Sequence, residues 1–288
     1  MKKFLVGLVI LSSTAVFAAG GSEARTPDMY APKMNGAEFV AGLTLHTGKY
    51  ENSPISKTAS GMDLGFEYGY GFSDVMAFYV AQIYRNTEYT IDPGSSKSKY
   101  SGIGDTKVGL KAVIDYGQAF FYYDVGYQMA LLAKSKINSS GESSGTTARP
   151  YLEAQGGVGT SFDMFGVGAL IKFDMYQDGD TEVDVAGVTT TVKSKSGGGM
   201  QWKLYAQYQS TFKAGLAYGE QTIDAFDRTS GGITSTGVKA EDKMISVYGI
   251  IPVGTTSEVH LQLQKPESKT SGGTYGYYDV SAAYRMMF

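Results

Sequence analysis

Chemistry needs nucleophiles, bases or metal ligands at workable spacing, and this chain is sparing with all three. Its 288 residues include two histidines, His46 and His260, and no cysteine. Disulfides, thiolate metal sites and cysteine nucleophiles are therefore excluded. His46 is followed by Thr47-Gly48, so no serine stands two residues on to act as a nucleophile. His260 stands among Glu258, Gln262 and Gln264, where an imidazole bonded to a polar neighbour outweighs a general base. Asp178, Asp180, Glu182 and Asp184 alternate and could share one face. Such carboxylates can hold Ca²⁺ or bridge to lipopolysaccharide through divalent ions, but a charged, solvated loop edge is the stronger reading. Ser101 to Gly109 has two glycines, Gly102 and Gly104, spaced as in a dinucleotide loop. The third glycine is misplaced and no helix follows, so the nucleotide reading fails. No catalytic, cofactor-binding or metal-binding residue is expected. A net charge of −3 and a pI near 5.5 give no reason to expect nucleic acid.

The charges that remain follow a rule, and the rule is a period of two. Met62-Leu64-Phe66-Tyr68-Tyr70 alternate with Asp63 and Glu67, and Val108-Leu110-Ala112-Ile114 with Asp105, Lys107 and Lys111. Phe121 to Met129 alternate with Asp124, Leu152-Ala154 with Glu153, and Val167 to Met175 with Lys172 and Asp174. Trp202 to Tyr208 alternate with Lys203, Val259-Leu261-Leu263 with Glu258 and His260, and Tyr278 to Phe288 with Asp279 and Arg285. Charges within a strand share one parity, as they must when the other face meets lipid. These fourteen polar residues are the candidates for lining an interior. Lumen-side glycines at 65, 69, 109, 126, 157 and 159 are expected to leave room among them.

Which elements would hold such a face? With strands at 38–46 and around 75–85, 212–221 and 243–251, the count is twelve, each of roughly ten residues, the length of a tilted membrane crossing. Connections alternate. Gly71–Asp74, Asp115–Gln118, Asp163–Phe165, Ser210-Thr211 and Pro252–Gly254 are tight, while 51–60, 86–101, 134–148 and 178–198 are long and polar. Short periplasmic turns alternating with long outer loops mark a transmembrane barrel, and a soluble sandwich has no reason for them. Thr181–Val185 and Val188–Val192 read as a hairpin standing above the membrane. Aromatics give two girdles. One holds Tyr70, Phe72, Tyr116, Phe120, Phe162, Phe165, Tyr208, Phe212, Tyr284 and Phe288; the other holds Tyr50, Tyr84, Tyr176, Tyr218 and Tyr275.

The ends agree. Met1-Lys2-Lys3, an apolar stretch to Phe17 and the small residue Ala18 read as a signal peptide over 1–18. Residues 19–36 are expected as a periplasmic N-terminal segment, loose or tucked into the lumen, and 37–288 as the barrel. The fold class expected is all-β: a transmembrane, antiparallel, up-and-down barrel of about twelve strands in a bacterial outer membrane. Outer-membrane lipid and lipopolysaccharide would surround it. The closing Phe288, with apolar residues stepping back by twos, is similar to the signal read by the barrel assembly machinery.

Tyr70-Gly71-Phe72-Ser73-Asp74, followed by Ser101-Gly102-Ile103-Gly104-Asp105-Thr106-Lys107-Val108-Gly109-Leu110-Lys111, resembles the outer-membrane transporter family named for the meta-pathway of phenol degradation. That family opens a strand with Gly-Asp-x-x-x-Gly-x-Lys, matched by Gly104, Asp105, Gly109 and Lys111; Ala112 stands where it often has an aromatic. The resemblance covers about a quarter of the chain after the signal peptide. It implies passage of a small, hydrophobic or aromatic compound. The functional expectation is a passive channel or transporter for small solutes, without enzymatic activity or cofactor. The alternatives are a closed structural or surface-recognition barrel acting through its outer loops, and a hydrolase at the rim.

Overall fold

The computed structural model describes residues 29, 31–32, 34–51, 56–92, 96–116, 118–130, 134–138, 140, 142–144, 146, 149–185, 187–236, 239–270 and 273–288. The expected signal peptide and most of 19–36 lie outside them. All regular structure among the described residues is strand. Twelve long strands form the wall: β1 (Ala37–Glu51), β2 (Ser56–Gly71), β3 (Met76–Asp92), β4 (Thr106–Tyr116), β5 (Ala119–Met129) and β6 (Tyr151–Phe162), then β7 (Phe165–Tyr176), β8 (Gly197–Gln209), β9 (Lys213–Ile223), β10 (Ala240–Pro252), β11 (Ser257–Thr270) and β12 (Gly273–Met287).

Each strand pairs antiparallel with the next, and β12 returns to β1 in register from Glu38↔Met287 to Glu51↔Thr274. The seam runs to the last residue: Phe288 N–H donates to Ala37 O at 2.8 Å, and Ala37 N–H to Phe288 O at 3.2 Å. Closure leaves no free edge, and every backbone group of the wall can find a partner without water, as a bilayer demands. The result is a closed twelve-stranded antiparallel β-barrel.

Turns decide which end is which. At the tight end β6 and β7 are joined through Asp163-Met164, with Asp163 at φ 55°, a left-handed conformation that aspartate tolerates. At the other end short strands continue the sheet upward. Ser96–Ile103 prolongs β4 beside β3, and Gly179–Val185 pairs with Val188–Ser194 as the expected hairpin. Asp227–Ser230 pairs with Ile233–Thr236 in another. If long loops are extracellular, cysteines placed at Ser235 and Val188 should react with an impermeant thiol reagent on intact cells, and those at Gln118 and Thr255 should not. The reverse labelling pattern would invert the orientation.

Facing follows the parity. Tyr123, Val158, Leu204 and Leu216 stand half or more exposed on the outer surface, where lipid would cover them, while Lys111, Glu153 and Arg285 are buried within. Two girdle aromatics are corrections. Phe120 is fully buried inside against Gly159, and Tyr176 points inward beside Tyr151. Each sits on the interior parity of its strand, so the position along the strand was right and the side was not. The side chains of Tyr50 and Tyr275 lie outside the described residues.

Candidate functional site

The interior charges do not stand as isolated ligands to water; most are knitted into pairs across neighbouring strands. On the β2–β7 side, Lys111 bonds Glu67. Glu153 accepts from Lys107 at 2.5 Å and from Lys172 at 3.4 Å, and Lys172 also meets Asp174 at 3.3 Å. Tyr79 donates to Asp124 at 2.9 Å and lies under Lys111, whose ammonium is 4.4 Å from the ring centroid. Tyr122 donates to the other oxygen of Asp124 at 3.2 Å. Four acids and three lysines thus share one dry ladder, since ions in low dielectric persist only when paired.

The β11–β12–β1 side holds a second network near the tight turns. Arg285 bonds Glu38 at 3.1 Å and Glu258 at 2.8 Å, and His260 meets Glu258 at 3.0 Å. Higher on the same wall His46 lies between Asp279 at 2.7 Å and Asp63 at 3.3 Å. Both its ring nitrogens therefore face carboxylates, and neither activates a hydroxyl. Asp105, the acid of the Gly-Asp motif, is buried and accepts from Gln128 at 3.4 Å and from Thr146. Its role here is to pin an outer-loop residue to the wall. Lys203 is half-buried on the interior face, its stem crowding the Cβ position of Gly219 at 2.9 Å.

The acidic hairpin residues go separate ways. Asp178 accepts from Lys195 at 3.2 Å and from Ser196 N–H at 2.6 Å, which holds its carboxyl below the usual range. Glu182 lies 3.8 Å from Lys136, and Asp184 accepts from Gly187 N–H at 3.1 Å. Among the described residues no group of three potential ligands could hold a metal ion.

Room is the point at which sequence and structure part. The glycines expected to open the lumen instead seat large side chains. A Cβ on Gly109 would lie 2.6 Å from the Tyr79 ring, and one on Gly126 2.4 Å from its hydroxyl. On Gly159 it would meet Tyr205 and Phe120, and on Gly157 the sulfur of Met29 at 2.8 Å. Gly69 carries Glu38 and Pro32; of the six only Gly65 has open space beside it. Met29 comes from the N-terminal segment. It is 1% exposed and packs with Ala31 among Ala77, Val113, Phe120, Tyr122, Leu170 and Tyr205. Among the described residues of that segment, Met29, Ala31 and Pro32 are buried.

The wall is that of outer-membrane barrels. It is similar to an outer-membrane channel from Pseudomonas putida F1 at 12% identity and a TM-score of 0.64, over 94% of this chain and 100% of that one. It is also similar to the transport unit of an autotransporter from Escherichia coli at 11% identity and a TM-score of 0.56, over 89% and 91% of the two chains. The likeness is one of fold. No protein-family model and no curated protein matches the chain.

Sequence reasoning missed several interior groups. Glu38 has the parity of Val40 and Thr44, both buried, so alternation could have found it. Tyr79 and Asp242 sit on β3 and β10, where the alternation of charge does not settle which side chains face inward. Thr146 and Arg149 belong to a loop, where no period exists to read.

Proposed function

We propose that this protein is a passive outer-membrane channel for small solutes, with its own N-terminal segment as a resident stopper. The observation that carries this is how the interior is filled. An eight-stranded barrel can be filled by the side chains of its own wall, but twelve strands enclose more volume. Here the filler at the tight-turn end is Met29, Ala31 and Pro32, which do not belong to the wall. Among the described residues the segment's backbone ties to the wall are at its root: Asn35 N–H to Gly71 O at 2.8 Å, and Gly71 N–H to Gly36 O at 2.9 Å, with Met34 bridged to Gly71. An apolar plug tied at one end can leave without breaking a strand. The fold shared with a bacterial outer-membrane channel supports the same reading.

The carboxylates, ammoniums, amides and phenols within suit polar solutes better than the hydrophobic or aromatic compounds the family resemblance implies. His46 has a carboxylate at each ring nitrogen, which leaves neither nitrogen to activate a hydroxyl for a hydrolase at the rim. Export with a cleaved signal peptide, insertion by the assembly machinery and contact with lipopolysaccharide belong to this proposal.

Deleting residues 20–34 from the mature protein should raise single-channel conductance in planar bilayers several-fold, with the barrel still folded. A folded barrel that conducts neither with nor without the segment would replace the channel with the closed, surface-recognition barrel.

A further inference from the structure

The outer end of the interior holds buried polar atoms that the protein itself leaves without partners. Tyr151 and Tyr176 face each other in register on β6 and β7, their ring centroids 5.2 Å apart. They are 2% and 7% exposed, and neither hydroxyl has a hydrogen-bond partner. Asp174, two residues below Tyr176 on the same face, is 2% exposed. One of its oxygens meets Lys172 at 3.3 Å, and Oδ1 has no partner. Unsatisfied buried groups are costly and rare, and three on one patch of wall call for an occupant.

The surroundings define it. The neighbouring strand β8 offers backbone alone, because Gly197 and Gly199 pair with Tyr176 and Asp174. A Cβ on Gly199 would meet Thr222 O at 3.2 Å and Asp174 Oδ2 at 3.9 Å, so glycine there keeps a β8 side chain from crowding that carboxylate. Above, the Arg149 guanidinium lies 5.0 Å from the Tyr176 ring centroid and 4.3 Å from that of Phe226. It is fixed there by bonds to the carbonyls of Gln177 and Lys195. The patch therefore combines aromatic surface, a carboxylate oxygen that accepts, and two phenols that donate or accept.

We propose that Tyr151, Tyr176 and Asp174 form an entry subsite for a small, uncharged, hydroxylated organic solute of sugar or polyol size. Its hydroxyls donate to Asp174 and exchange hydrogen bonds with both phenols, while its carbon face lies against the tyrosine rings. A carboxylate anion brings no donor for Asp174 Oδ1, and a hydrocarbon would leave all three atoms unsatisfied. The inference deepens the channel reading, yet it concerns equilibrium binding and stands or falls separately from conductance.

The test is saturation-transfer NMR on the purified, folded barrel in an amine-oxide detergent, which carries no sugar. The probes are D-glucose and myo-inositol, with benzoate and toluene as anionic and apolar controls. The expected result is saturable binding of a hydroxylated probe, weakened about tenfold or more, some 1.4 kcal/mol, in the Tyr151→Phe/Tyr176→Phe double variant and in Asp174→Asn. The double variant should resist urea as well as the parent, because it removes hydroxyls without partners. Absence of saturable binding, equal binding by the variants, or preference for benzoate or toluene would overturn the subsite. So would a clear loss of urea resistance in the double variant, which would assign the hydroxyls to ordered water alone. Since no current is measured, a barrel that fails to conduct but binds glucose sinks only the channel.

Discussion

Replacing Lys111 with methionine should destabilise the folded barrel by about 3–5 kcal/mol, because it strands a buried carboxylate. Lys111 is 1% exposed and Glu67, its partner, 3% exposed, so neither is bathed by water that could take over. Glu67 would then be left with the nearby Glu38 and Asp124 charges and no lysine to offset them. Adding Glu67→Leu should restore most of the loss, since replacing a buried pair by apolar groups of similar volume is commonly neutral or stabilising. Urea titrations of refolding into lipid vesicles would compare the two variants. If Lys111→Met costs under about 1 kcal/mol, the pair behaves as an exposed one and the ladder is hydrated. Changing both Lys107 and Lys111 to glutamate should be worse still, as it sets new acids against Glu67, Glu153 and Asp124. An intact double variant with shifted ion selectivity would instead show these residues bordering an open aqueous path.

The second large effect concerns the outer surface. Leu204→Arg should impair folding into lipid by about 2–4 kcal/mol if the site lies near the bilayer midplane. Leu204 is 55% exposed on the outward face of β8, paired with Ala169 and Tyr218 on its neighbours. Gln207, three residues on, falls on the opposite parity of β8, where alternation alone predicts that an arginine is tolerated. The structure revises this. Gln207 is 3% exposed, accepts from Tyr248 at 2.9 Å and donates to Gln209 at 3.2 Å, so arginine there must displace packed partners. What separates the two sites is the medium. The Leu204→Arg penalty should shrink in thin bilayers or detergent, where the cation reaches water, whereas the Gln207→Arg penalty should persist. Equal dependence on the bilayer at both positions would mean that the facing of β8 is wrong.

The sequence by itself determined the wall. A period of two is a local property, and a lipid face tolerates no charge, so the parity of Asp63, Lys107, Lys172 and Arg285 was enough to orient their strands. Turn lengths are equally local, and they ordered the ends. The interior is another matter, because what fills a lumen is set by side chains from strands distant in sequence. Gly109 looks like empty space until β3 brings Tyr79 over it, and Gly157 until Met29 arrives from the N-terminal segment. Phe120 and Tyr176 were read as girdle residues from their height alone, although parity put them inside. Pairing is likewise tertiary: Glu38 meets Arg285 only because β12 closes against β1, 247 residues apart in the chain. Alternation decides which way a residue points, while only closure of the barrel decides what it meets there.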